Sequence, residues 1–303
     1  MYTTLIEAEE LAAPLARSAG AAGDWTVLDC RFDLARPDWG ASAYATGHVP
    51  NALYAHLDRD LSGPVTPGSG RHPLPSIERL AETFGRWGID ESVQVVAYDQ
   101  GNGAFAARLW WLLRWTGHRK VAVLNGGFAA WQQAGLPADT VPGERQPRVF
   151  TPRLATNAVV STAELERLLA AGALESGASV LVDARGADRF AGDNETIDPV
   201  AGHIPGARNQ PFLRNVDARG RFLSTAELRE RWQATLAAQP AGEPAPGGAP
   251  AERVIAMCGS GVTACHNLLA LEVAGLPGAR LYAGSWSEWI RDASRPVVRG
   301  AGV

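Results

Sequence analysis

The strongest constraint on how this chain can fold is that it repeats itself. Val27-Leu28-Asp29-Cys30-Arg31 returns as Leu181-Val182-Asp183-Ala184-Arg185, and Gly47-His48-Val49-Pro50-Asn51-Ala52 as Gly202-His203-Ile204-Pro205-Gly206-Ala207. Leu124-Asn125-Gly126-Gly127-Phe128-Ala129-Ala130-Trp131 returns as Tyr282-Ala283-Gly284-Ser285-Trp286-Ser287-Glu288-Trp289. The matches keep their order at offsets of 154, 155 and 158 residues, which reads as two homologous domains in tandem. The expected division is 1–137 for the first domain, 138–157 for a linker and 158–303 for the second. Pro142, Pro147 and Pro152 interrupt a charged stretch and mark that linker.

Each copy alternates short apolar runs with helical patterns. Trp25–Leu28 and Val93–Ala97 read as buried strands, and Ile77–Phe84 and Ala104–Trp115 as helices. Apolar strands separated by helices predict an α/β fold in which each domain is a mostly parallel sheet flanked by helices on both faces. Ser161 with Glu164, and Ser224 with Glu227, have the spacing of a capping box and predict two helix starts. The Pro-, Gly- and Ala-rich stretch from Ala237 to Pro250 reads as a solvated loop.

Composition narrows the function classes. A net charge of −4 gives no basic field for nucleic acid or an anionic membrane, so neither partner is expected. The three cysteines, Cys30, Cys258 and Cys265, are too few and too odd in number for a disulfide framework, and they fit a reducing compartment. There is no Cys-x-x-Cys pair and the six histidines are scattered, so no metal site and no cofactor are expected. The N-terminal residues lack a basic and apolar leader, and no run of about 18 apolar residues occurs, so the chain reads as cytoplasmic.

The two copies differ at one strand end. Val95-Val96-Ala97-Tyr98 leads to Asp99, whereas Val254-Ile255-Ala256-Met257 leads to Cys258-Gly259-Ser260-Gly261-Val262-Thr263 and a helix-like run. The N–H groups of such a turn and of a helix start carry positive partial charge and favour an anion there. Cys258 is therefore the candidate nucleophile, with the N–H groups from Gly259 to Thr263 as a cradle for its sulfur. Gly259 and Gly261 let the backbone turn inward, and the Ser260 hydroxyl can relay a proton or polarise a substrate carbonyl. The first copy then serves as scaffold and as one wall of a cleft between domains. Asp183 with Arg185 repeats Asp29 with Arg31, and His203 repeats His48, so these are expected to hold the fold. Cys30 and Cys265 are expected in packing, and Trp286 is a candidate for lining the pocket.

The tandem plan, the Gly-His-Val/Ile-Pro turns and the loop Cys258–Ala264 together resemble the two-domain rhodanese-like sulfurtransferases, over roughly Trp25 to Trp289. The resemblance implies a catalytic cysteine that takes a sulfane sulfur as a persulfide from a small-molecule donor. It then passes the sulfur to a thiophilic acceptor: cyanide, a cellular thiol or a thioredoxin-like protein. Members specific for thiosulfate carry basic residues after the cysteine, whereas Gly259 and Ser260 stand here, as in members that use 3-mercaptopyruvate. Physics agrees, because a dianion such as thiosulfate is offset by cations beside the thiol, while mercaptopyruvate carries one carboxylate remote from its sulfur.

By the same resemblance, the segments Ala55–Asp60 and Arg71–Pro75 would bring an acid, Asp58, and a histidine, His72, from the first domain to work with Ser260. Arg189 would grip the donor carboxylate, and Gly259, Gly261, Val262 and Thr263 would line the donor site. Many mercaptopyruvate enzymes have a second arginine just downstream, but residues 191–198 contain none and are acidic. Two alternatives remain at this stage, a thiosulfate:cyanide sulfurtransferase and a sulfur relay to a protein acceptor. Phosphatases of the same fold need an arginine six residues after the cysteine, where Ala264 stands.

Overall fold

The computed structural model describes residues 1–17, 24–237 and 251–300. Residues 238–250 of the stretch read as a solvated loop lie outside the described residues. The chain forms two compact units. One consists of Met1–Gly63, Leu74–Ala155 and Val216–Phe222, and the other of Pro64–Pro73, Thr156–Asn215 and Leu223–Val303.

The first unit runs β1 (Leu5–Ile6), α1 (Ala8–Arg17), β2 (Trp25–Asp29), α2 (Trp39–Thr46), β3 (Leu53–Tyr54), α3 (Leu57–Asp60), α4 (Ile77–Arg86), β4 (Gln94–Tyr98), α5 (Ala106–Trp115), β5 (Val121–Leu124) and α6 (Gly127–Gln133). Its strands form a parallel sheet in the order β1-β5-β4-β2-β3. The second runs α7 (Thr162–Ala170), β6 (Val180–Asp183), α8 (Ala187–Ala191), β7 (Arg208–Asn209), a 3-10 turn (Phe212–Asn215), α9 (Thr225–Ala237), β8 (Val254–Met257), α10 (Thr263–Val273), β9 (Arg280–Leu281) and α11 (Ser285–Trp289). Its parallel sheet has the order β7-β6-β8-β9. A parallel bridge from Val159 to Leu281 stands at its edge, as β1 does on β5 in the first unit. No helix of the described residues is long and apolar enough to cross a membrane.

The central strands are mostly apolar because helices flank the sheet: every residue of β4, β5, β6 and β8 is buried, with Gln94 and Asp183 the polar ones at strand ends. Helices begin where the sequence offers caps. The Ser161 side chain accepts the N–H of Glu164 at the start of α7. At α9, Glu227 accepts the Ser224 N–H at 3.0 Å while Ser224 Oγ accepts the Glu227 N–H at 3.3 Å, a full reciprocal box. Of the stretch 138–157 read as a linker, residues 138–155 belong to the first unit and form no helix or strand beyond a bridge from Asp139 to His48. There Gly143, Arg148 and Arg153 donate their N–H groups to Ala52, Gly85 and Thr116.

The repeated sequence words are repeated pieces of structure. Arg31 Nη2 lies 2.6 Å from Asp29 Oδ2 and donates to Gly47 O at 2.7 Å; Arg185 Nη2 lies 2.7 Å from Asp183 Oδ2 and donates to Gly202 O at 2.8 Å. Each guanidinium also stands over an aromatic ring, 4.4 Å above Phe128 in one unit and 4.8 Å above Trp286 in the other. His48 stacks on Tyr44 and holds the Tyr44 carbonyl, as His203 stacks on Phe190 and holds the Phe190 carbonyl. Trp286, expected as a possible pocket wall, is instead wholly buried under Arg185, with its indole N–H on Val200 O. Cys30 and Cys265 are buried, and Cys265 Sγ donates to Gly261 O at 3.3 Å.

Candidate active site

β8 ends at Met257, and Cys258 opens a turn that closes on the first residue of α10, Thr263. Gly261 takes φ +80°, and a Cβ there would stand 2.3 Å from Ala283 O, so only glycine lets the turn lie against its neighbour. The Gly261 N–H donates to Cys258 Sγ at 3.1 Å.

A second turn, at the start of α11, pins this loop. Trp286 and Ser287 donate their N–H groups to the carbonyls of Cys258 and Gly259, and Ser285 Oγ accepts the Cys258 N–H at 3.1 Å. Ser285 holds a left-handed φ of 53°, where the repeat has Gly127 at φ 57°. The side chain that costs strain at this position supplies the oxygen that holds the cysteine's backbone.

The first unit shows what the same turn does with another anion. The Asp99 carboxylate accepts N–H groups from Gly101, Gly103, Phe105 and Ala106 at 2.9–3.3 Å. A strand end leading into a helix thus gathers N–H donors, four of them on the Asp99 carboxylate in one copy and that of Gly261 on the Cys258 sulfur in the other.

Cys258 is only 2% exposed, and Ser260, His72 and Arg189 stand on or beside its loop. Ser260 is buried, and its Oγ lies 2.7 Å from His72 Nδ1. His72 was expected from the first domain; its segment, Pro64–Pro73, packs as part of the second unit. Arg189, on α8, directs Nε and Nη2 onto Glu195 and Nη2 onto Asp198. The acidic stretch after α8 therefore holds this arginine in place. Val262 is buried and Thr263 partly so at the helix start. Asp58 is exposed on α3 of the first unit, where its N–H donates to His56 Nδ1.

Three groups at the site were not assigned from the sequence. Arg71 pairs with Asp198, and its N–H donates to Ser287 Oγ at 3.1 Å. A Cβ placed on Gly259 would stand 2.9 Å from Arg71 Nη2 and 3.7 Å from both Arg189 Nη atoms. Burial pushes the Asp198 carboxyl above its usual range, while the two arginines pull against that. Burial would raise Glu195 too, but Arg189 and the N–H groups of Asp198 and Ile197 outweigh it and hold that carboxyl low. The only sequence signal for Arg71 was its place beside His72; for Glu195 and Asp198 it was the unexplained acidity of their stretch.

Comparison with known proteins shows the family. The family profile described as Rhodanese-like domain matches residues 7–134 and again 161–292. A Pseudomonas aeruginosa protein described as "Probable 3-mercaptopyruvate sulfurtransferase" is 47% identical over 298 residues, covering 98% of each chain. The thiosulfate sulfurtransferase of Cricetulus griseus is 34% identical, over 97% of this chain and 94% of its own. Among solved structures, 3-mercaptopyruvate sulfurtransferase from Leishmania major superposes with a TM-score of 0.77 at 30% identity, over 95% of this chain and 74% of that one. With both copies matched by the family profile and relatives aligned from end to end, the chain belongs to the two-domain rhodanese-like sulfurtransferases.

Proposed function

We propose that the protein moves a sulfane sulfur from 3-mercaptopyruvate to a thiophilic acceptor through a persulfide on Cys258. The Cys258 thiolate attacks the donor sulfur and forms the S–S bond. The donor C–S bond breaks, its electron pair enters the pyruvate enolate, and the proton of the donor thiol ends on the methyl carbon of pyruvate. An acceptor anion, cyanide or a thiolate, then attacks the outer sulfur and regenerates the Cys258 thiolate. A thioredoxin-like protein suits the acceptor role as well as a small thiol does.

The observation that carries this reading is the contact between Ser260 and His72 beside the cysteine loop. Release of an enolate needs a polarised carbonyl and a proton path, which a hydroxyl backed by an imidazole can supply. Release of sulfite from thiosulfate needs neither. The P. aeruginosa relative supports the same donor. Asp58 is proposed, on the family resemblance, as the acid that works with His72, and the N–H groups from Gly259 to Thr263 as the sulfur cradle. A persulfide cycle and three cysteines outside any disulfide suit a reducing compartment such as the cytoplasm.

The test is pyruvate release from 3-mercaptopyruvate measured beside thiocyanate formation from thiosulfate and cyanide. Faster turnover of mercaptopyruvate, abolished in Cys258→Ser, is the expected result. Equal activity of wild type and Cys258→Ser would overturn the mechanism. Thiosulfate is the second reading because the guanidinium groups of Arg71 and Arg189 near Gly259 also suit a dianion. A preference for thiosulfate would establish it instead.

A further inference from the structure

We infer that Ser285 is a positioning residue for sulfur transfer: its hydroxyl holds the Cys258 backbone so that the sulfur carried there stays seated in its turn. The inference rests on the persulfide reading above, with either donor. Ser285 is wholly buried at the start of α11. Its Oγ accepts the Cys258 N–H at 3.1 Å and donates to Tyr282 O at 2.9 Å. A hydroxyl has a single proton, and Tyr282 O takes it, so a lone pair faces the Cys258 N–H and the direction of the contact is fixed. The neighbouring backbone groups are tied as well. Met257 O accepts the Ala184 N–H, and the carbonyls of Cys258 and Gly259 accept the N–H groups of Trp286 and Ser287, all at 2.8–3.0 Å.

The repeat isolates what the hydroxyl adds. In the first unit Phe128 and Ala129 donate to the carbonyls of Asp99 and Gln100, which reproduces the bonds of Trp286 and Ser287. The position of Ser285 is taken there by Gly127, at nearly the same left-handed φ. A Cβ on Gly127 would stand 2.5 Å from Asp99 O and 2.8 Å from Gly101 N, so that turn leaves no room for a side chain. The cysteine turn stands far enough off to admit one. A left-handed φ favours glycine over any other residue, and the backbone at 285 would be better served by the residue of the other copy. The copy that carries the nucleophile keeps the less favourable residue and gains a further tie to the cysteine from it. Strain of this kind persists where function needs the geometry. Here the tie keeps Cys258 Sγ on the Gly261 N–H, 3.1 Å away.

The experiment measures kcat and KM of wild type, Ser285→Gly and Ser285→Ala with 3-mercaptopyruvate, and separately with thiosulfate and cyanide, beside thermal unfolding. Both variants lack the hydroxyl, but only glycine suits the left-handed backbone. The expected result is a kcat lowered about 10- to 100-fold in both variants with either donor, as for a misplaced reacting group. KM should stay within about twofold of wild type. The unfolding temperature should separate the two, with Ser285→Gly above Ser285→Ala. A purely structural serine would not let activity follow the hydroxyl while stability follows the backbone. A folded Ser285→Gly protein with kcat within about twofold of wild type overturns the inference, whatever Ser285→Ala does. If wild type turns over thiosulfate alone, the donor reading fails. Ser285 then stands if Ser285→Gly loses kcat with thiosulfate, and falls if it does not.

Discussion

Ser260 Oγ and His72 Nδ1 lie 2.7 Å apart although 188 residues separate them in the chain. The pair is buried beside the cysteine loop, where a serine alone would be a poor proton donor. Ser260→Ala is expected to lower kcat for pyruvate release by about 10²-fold, at the low end of general acid–base contributions. Thiocyanate formation from thiosulfate should change far less. His72→Gln should act on the same step, and the double variant should lose little beyond either single one. Steady-state kinetics with both donors checks this, and equal losses with both donors would remove the pair from carbonyl chemistry.

The Asp99 nest gives a stability prediction. Asp99→Asn keeps one oxygen but turns an NH2 group toward N–H donors that a carboxylate now accepts. A buried donor left without an acceptor costs about 1–3 kcal/mol. Urea unfolding should show a loss of that order, while Cys258 chemistry is retained in the folded protein.

Cys30 gives a pH prediction. Burial first, and then the charges of Asp29, Asp99 and Asp60, push its thiol well above the ordinary value. The folded state therefore keeps the proton after the unfolded chain has lost it. The stabilisation is complete below the ordinary thiol pKa and is lost as pH rises toward the folded one. Unfolding free energy should fall with alkaline pH more steeply in wild type than in Cys30→Ala. Mass spectrometry after brief alkylation near neutral pH should find Cys30 unmodified until the protein unfolds.

The Asp183–Arg185 pair gives a prediction about the scaffold. Both side chains are buried, and Arg185 also spans to Gly202 O and stands over Trp286. Removing one partner of a buried pair costs about 3–5 kcal/mol where the other charge is left uncompensated, and Glu195 Oε2, 3.4 Å from Arg185 Nη1, moves the expected cost to the low end of that range. Asp183→Asn should destabilise the protein by that order in denaturant unfolding. A change below about 1 kcal/mol would place the pair among the weak surface bridges instead.

The sequence by itself determined the repeat, the strand cores, the caps at Ser161 and Ser224, and the cysteine turn before α10. Each of these is written in neighbouring residues: apolar runs of strand length, a hydroxyl three residues before a glutamate, a glycine where the backbone turns inward. Even the exchange of Cys258 for Asp99 was readable, because the repeat aligned the two strand ends. The tertiary structure alone decided which distant residues meet that turn. Arg71 reaches Gly259, Asp198 lies between Arg71 and Arg189, and Ser285 takes the Cys258 N–H through packing between segments far apart in the chain. No local pattern encodes such meetings, since a charged side chain in a loop carries the same sequence signal whether it faces water or a binding site. Trp286 makes the same point in reverse: its place after a glycine turn suited a pocket wall, and the guanidinium of Arg185 above it made it core.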